Sequence, residues 1–138
     1  MLTIKKNFEF KRVLSKGKYF NSNNLAIYFF PNRLNLLRFG FAVGKKAGKA
    51  VERNRIKRII RESARLTTIS FNKGYDLVFV WKNKVSADNV KYIDIKKEVE
   101  YLYHKIQKEI NNEKISVKSN EVLSKISFTI KRWRMLYI

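Results

Sequence analysis

The side chains in this sequence best suited to chemistry are cations. Between Leu37 and Leu66 stand Arg38, Lys45, Lys46, Lys49, Arg53, Arg55, Lys57, Arg58, Arg61 and Arg65, opposed only by Glu52 and Glu62. Ten positive charges less two negative ones leave +8 in that stretch. Guanidinium and ammonium groups at this density suit phosphate recognition, by forked hydrogen bonds from Arg and point charge from Lys. The groups that catalysis would need are missing. Cysteine is absent, which removes thiolate nucleophiles, thiolate metal sites and disulfides. A lone histidine, His104, builds neither a multi-histidine zinc site nor a paired acid–base centre and reads as a partly exposed helix residue. A two-metal hydrolytic centre needs converging carboxylates. The eleven acids stand singly, mostly beside basic residues. Asp94, Glu98 and Glu100 read as helix-surface ion pairs, and Asp76 as a turn acceptor at the start of a strand. No catalytic residue, metal-ligand set or protein-bound cofactor is assigned.

Those cations need an element that points them one way, and the pattern supplies a helix over Ala50 to Leu66. On it Ile56, Ile59, Ile60, Ser63 and Ala64 share one side, which must face a sheet. Arg53, Asn54, Lys57, Arg58, Arg61 and Arg65 gather on a neighbouring arc, while Arg55 and Glu62 point elsewhere. Like charges four residues apart (Arg53, Lys57, Arg61) cost an isolated helix roughly 0.2–0.5 kcal/mol per pair. A face that served only solubility would mix in acids, so a polyanion completes this one. If about six to eight phosphates are neutralised, log K falls with log[salt] at a slope of about −4 to −7. The preceding loop, Gly44 to Gly48, offers Lys45 and Lys46 and could cradle phosphate through backbone N–H groups at the helix start.

The rest of the chain reads as the frame for that helix. Asn7 caps a short helix, Phe8 to Lys16, and residues 18–24 read as a loop. Strands follow at Leu25 to Phe30, Leu37 to Val43 and Tyr75 to Trp81, the last apolar enough to lie inside the sheet. A third helix runs from about Tyr92 to Asn111, with Ile95, Val99, Leu102, Tyr103, Ile106 and Ile110 as its apolar stripe. The order is αββαβα, an α+β two-layer sandwich over residues 1–111. A C-terminal extension, 112–138, follows as a packed helix or partly flexible segment carrying Lys131, Arg132, Trp133 and Arg134.

Over all 138 residues the charge is +20, from 31 Lys and Arg against 11 Asp and Glu. A domain this basic needs an anionic partner. Nucleic acid comes first, and a membrane surface or duplex DNA is the weaker alternative. No N-terminal apolar run of signal length and no apolar span of transmembrane length is present, so cytoplasm is the default location.

The motif itself resembles a known family. Gly40-Phe41-x-Val43-x-Lys45-Lys46-x-Gly48-x-Ala50-Val51-x-Arg53-Asn54-Arg55-x-Lys57-Arg58-x-x-Arg61-Glu62 is similar to the signature of bacterial ribonuclease P proteins. Upstream, Lys6-Asn7-x-x-Phe10-x-x-Val13, Gly17 and Tyr28 extend the match, and downstream it reaches through the third helix, covering residues 1 to about 110. The resemblance implies a left-handed βαβ crossover through the basic helix. It implies as partners the catalytic RNA of ribonuclease P and precursor tRNA, with neither a membrane nor an obligate protein partner. The RNA would hold the active site, and RNA and substrate would hold Mg²⁺ for removing the 5′ leader. By position, Lys45, Lys46, Lys49, Arg53, Asn54, Arg55, Lys57, Arg58, Arg61 and Arg65 would meet the RNA subunit. Lys6, Phe10, Leu14, Tyr19, Tyr28 and Arg61 would line a leader-binding cleft between the first helix and the sheet. The sequence departs from the family at Ala42-Val43-Gly44, where Ser-Val-Ser is frequent before the Lys pair, and at Leu14, where an aromatic is frequent. A structural RNA-binding protein of ribosomal type is the alternative, since similar folds serve both.

Overall fold

The computed structural model describes residues 2–67, 74–82 and 89–113. Its elements run β1 (Leu2–Thr3), α1 (Asn7–Lys16), β2 (Lys18–Asn21), β3 (Leu25–Pro31), β4 (Leu37–Ala42), α2 (Ala50–Thr67), β5 (Tyr75–Trp81) and α3 (residues 92–113). A single 3₁₀ turn, Lys45–Ala47, precedes α2. The first compact unit ends at Ile106, and Gln107 begins a second, described here only through the last residues of α3.

Five strands form one sheet in the order β1-β4-β5-β3-β2. β5 is central, as its near-continuous apolar run requires. It pairs parallel with β4 (Phe39 opposite Leu77) and antiparallel with β3 (Ile27 opposite Phe79). The β4–α2–β5 segment is therefore a βαβ crossover between neighbouring parallel strands.

Two strands depart from the αββαβα reading. β1 is two residues long, too short for any period to show, and pairs with β4 at Arg38 and Phe39. β2 lies where a loop was expected. Its polar ends hide a hairpin whose turn is confined to residues 22–24, and whose aromatics stack across to β3. Tyr19 meets Tyr28 at 5.4 Å and Phe20 meets Phe29 at 5.9 Å between ring centres. α1 also begins one residue earlier than expected, with Lys6 at the cap position and no side-chain cap bond, so Asn7 does not cap it.

Alternation along the strands sorts the core. Leu25, Ile27, Phe29, Phe39, Phe41, Leu77, Phe79 and Trp81 share one face. α2 and α3 cover it with Ile56, Ile60, Ile95, Val99, Leu102 and Ile106, all buried. Phe79 meets Tyr103 of α3 edge-on at 6.1 Å. Arg38, Gly40, Asp76, Val78, Tyr28 and Phe30 share the other face, which α1 crosses with Val13 buried beneath it. Gly40 permits that crossing: a Cβ there would lie 2.7 Å from the Phe10 ring.

Two acids differ from their sequence reading. Asp76, 2% exposed, accepts from Arg38 Nε at 2.9 Å, Arg38 Nη2 at 2.7 Å and Asn32 Nδ2 at 2.8 Å. Arg38 also pairs with Glu9 of α1. Among the described residues Glu98 makes no ion pair. It accepts from Ser22 Oγ, Asn24 N and Asn24 Nδ2, tying α3 to the β2–β3 turn. The expected tail at 112–138 falls, from residue 114 onward, outside the described residues.

Candidate nucleic-acid interface

α2 holds its cations as its sequence periodicity requires. Ile56, Ile60, Ser63 and Ala64 are fully buried and Ile59 half-buried, so the helix cannot roll. Its first turn is closed by Glu52, whose carboxylate accepts the Lys49 N–H at 3.0 Å, one half of a capping box. Gly48 makes the approach possible. Its φ is +136°, and a Cβ there would collide with the Glu52 carboxylate. This arrangement occupies three of the N–H groups on which a phosphate cradle in the loop would draw. The N–H groups of Ala47, Gly48 and Lys49 already donate to Gly44 O, Lys45 O and Glu52. What the loop offers is the exposed ammonium groups of Lys45 and Lys46.

The ten cations of residues 37–66 divide into two groups. Arg38 is locked between Asp76 and Glu9, and its guanidinium pKa is held above the ordinary range, first by the Asp76 hydrogen bond. Arg65 pairs with Glu62 at 3.0 Å. Arg55 turns away from the stripe toward the Val90 carbonyl, at 3.5 Å. Ten less these three leaves Lys45, Lys46, Lys49, Arg53, Lys57, Arg58 and Arg61. Among the described residues, none of the seven has a carboxylate within ion-pair distance. Lys45, Lys46, Lys49, Arg58 and Arg61 are exposed, as is Asn54, and Arg53 and Lys57 are half-buried. The Arg61 guanidinium rests 5.5 Å from the centre of the Phe41 ring, which pre-orders it. Seven cations with no ion-pair partner among the described residues, four on α2 and three on the loop before it, have the geometry of a polyanion surface.

The second candidate site lies on the α1 face of the sheet. Phe10 sits over Gly40, and across the same row of the sheet follow Val78, Tyr28 and Tyr19. Tyr19 is 57% exposed and Tyr28 half-buried, stacked on each other and open beside α1, where Leu14 is half-buried. Lys6 lies at the start of α1 with its ammonium over the Phe8 ring. Arg61 does not join this cleft. Phe41, on which it rests, alternates with Gly40 and so faces the opposite side of the sheet.

Among the described residues no three His, Asp or Glu side chains converge as metal ligands. The carboxylates of Asp76, Glu98 and Glu52 already accept protein donors. No helix among the described residues is long and apolar enough to cross a membrane. Sequence reasoning missed the Glu9–Arg38–Asp76–Asn32 network, because its members lie on four separate elements. The one available signal was Asp76 beginning an otherwise apolar strand.

Comparison with known proteins gives a consistent picture. The family described as Ribonuclease P matches residues 2–107. The ribonuclease P protein component of Clostridium kluyveri is 44% identical over 104 residues, covering 74% of this chain and 91% of that protein. That of Fusobacterium nucleatum is 41% identical over 105 residues, covering 75% and 95%. The structure resembles the Staphylococcus aureus RNase P protein, with a TM-score of 0.67, 29% identity, and coverage of 77% of this chain and 95% of that one. It also resembles the RNase P protein from Thermotoga maritima, with a TM-score of 0.66, 26% identity, and coverage of 74% and 94%.

Proposed function

This chain belongs to the ribonuclease P protein family, and from that premise we propose that it is the non-catalytic subunit that binds the catalytic RNA and the 5′ leader of precursor tRNA. The observation that carries this reading is the row of cations on α2 and its loop, anchored by isoleucines and, among the described residues, unanswered by carboxylates. Such a row lowers the repulsion between RNA phosphates brought close together, and releases their counterions on binding. The RNA subunit is its natural occupant, because seven fixed cations match a folded, phosphate-dense surface.

The leader occupies the cleft beside α1. A single strand offers unstacked bases, and Tyr28 and Tyr19 provide paired rings open to solvent, with Leu14 and Phe10 as the apolar wall. Leu14 packs against a base edge but offers no stacking plane, so the tyrosine pair carries base contact. Mg²⁺ is held by RNA and substrate and supplies the hydrolytic chemistry there. The protein's residues bind and orient, and none transfers a proton.

Reconstitution tests this. The full chain is mixed with ribonuclease P RNA and a precursor tRNA with a long leader, and cleavage is followed as Mg²⁺ is lowered. The expected result is no cleavage by protein alone, and cleavage by the complex at Mg²⁺ levels where RNA alone is inactive. Site-specific cleavage by the protein alone, or no lowering of the Mg²⁺ requirement, contradicts the reading.

A further inference from the structure

On the flank of α1 opposite the cleft lies a second pocket, outside the basic motif. It is lined by Arg12 and Lys16 of α1, Phe30 and Pro31 at the end of β3, and Asn32 and Arg33 of the following loop. Val13 is the α1 residue driven into the sheet. Successive helix residues are about 100° apart. Phe10 and Leu14 therefore fall on one side of Val13, and Glu9, Arg12 and Lys16 on the other. Phe30 faces the same side of the sheet as Tyr28, two residues before it. α1 thus stands as a wall between two sites on one sheet face.

The pocket is built rather than incidental. Its walls are tied together by the buried network. Glu9 on α1 pairs with Arg38, Arg38 clamps Asp76, and Asp76 accepts from Asn32 Nδ2. Asn32 also donates to Leu36 O at 2.9 Å and accepts the Leu34 N–H at 3.0 Å, which shapes the loop. That loop holds Arg33 at φ +58° and Asn35 at φ +53°, a conformation that costs free energy for residues with a side chain. Arg12, Lys16 and Arg33 are exposed, and among the described residues no carboxylate pairs with them. Phe30 is half-buried between them.

We propose that this pocket is a second single-stranded RNA site, separate from the cleft. Arg12, Lys16 and Arg33 take backbone phosphates, and the Phe30–Pro31 surface takes an unstacked base. An aromatic ring ringed by cations is the combination that holds single strands without reading their sequence. The inference rests on the chain acting within a ribonuclease P complex. The strand has two available sources, which share this chemistry: leader nucleotides beyond those in the cleft, and an unpaired stretch of the RNA subunit.

The test uses the full chain carrying Arg12→Ala, Lys16→Ala and Arg33→Asn together. Asparagine tolerates the left-handed backbone at position 33, and unchanged thermal unfolding shows that the fold is intact. Three affinities are measured: protein for RNA subunit, holoenzyme for a precursor with a long leader, and holoenzyme for a precursor whose leader ends inside the cleft. A loss of roughly tenfold for the long-leader precursor alone makes the leader the occupant. A similar loss in assembly makes the RNA subunit the occupant. Unchanged affinity in all three overturns the proposal, as does an equal loss for long and short leaders with assembly intact, which marks a general field effect. If the wild-type complex shows no leader-length dependence, the leader cleft itself is refuted, while the assembly measurement still decides the pocket.

Discussion

Replacing Arg53, Lys57 and Arg58 together with alanine should push stability and binding in opposite directions. In the free protein these side chains have no carboxylate partner among the described residues, and Lys57 stands four residues from both Arg53 and Arg61. Removing those two like-charge pairs relieves roughly 0.4–1 kcal/mol, and alanine favours the helix over the residues it replaces. Buried Ile56 and Ile60 are untouched, so the thermal midpoint should hold or rise. Binding to the RNA subunit should weaken in a way that salt reveals. Seven free cations set a slope of log K against log[salt] of about −5 to −6, and losing three should make it shallower by about 2–3. Fluorescence anisotropy with labelled RNA subunit at several salt concentrations reads the slope, and calorimetry reads the midpoint. Arg65→Ala is the control: its guanidinium is already answered by Glu62, so the slope should move by less than about 1. A triple variant with an unchanged slope, or one whose weaker binding merely follows a lower midpoint, would refute the reasoning.

Arg38→Ala should destabilise the fold by about 3–5 kcal/mol in urea unfolding, because it leaves Asp76 buried without its guanidinium. The Arg38 pKa is raised, so the stability contributed by its positive charge is fully present below the ordinary guanidinium value and is lost only as pH rises beyond it. Wild-type unfolding should therefore show no loss from this pair up to about pH 9. Gly48→Ala should cost at least about 1 kcal/mol by thermal unfolding, since it forces a side chain into positive φ and into Glu52. Tyr28→Ala should cost about 1–3 kcal/mol in holoenzyme affinity for a long-leader precursor and little for a leaderless one, measured by equilibrium titration, with Tyr28→Phe close to wild type.

What was legible in the sequence was whatever depends on period and local charge. The isoleucines of α2 announced both the helix and its buried side, and β5 announced its central place by being apolar at every position but Asp76. β2 was hidden because its strand character lies in pairing: Lys18 and Asn21 look like loop residues until Tyr19 and Phe20 meet Tyr28 and Phe29. Side-chain partners across elements were equally hidden. Arg38 and Arg65 counted as free cations until Asp76, Glu9 and Glu62 were placed beside them, and Glu98 looked like a surface ion-pair member until the β2–β3 turn closed on it. Arg61 was assigned to the cleft by position in the motif, but strand alternation puts Phe41, and Arg61 with it, behind the sheet. The pocket formed by Arg12, Lys16 and Arg33 had no sequence signal, since only the fold brings α1 and the β3–β4 loop together.

The central claim is that α2 turns its unpaired cations onto the RNA subunit. Asn54 is exposed in the middle of that row, and His104 is exposed on α3. A photo-crosslinking residue placed at each position in turn, in the reconstituted complex, compares the two directly. Efficient crosslinking to the RNA subunit from position 54, lost at high salt and weak or absent from position 104, is the predicted result. No RNA crosslink from position 54 alongside a strong one from position 104 contradicts it.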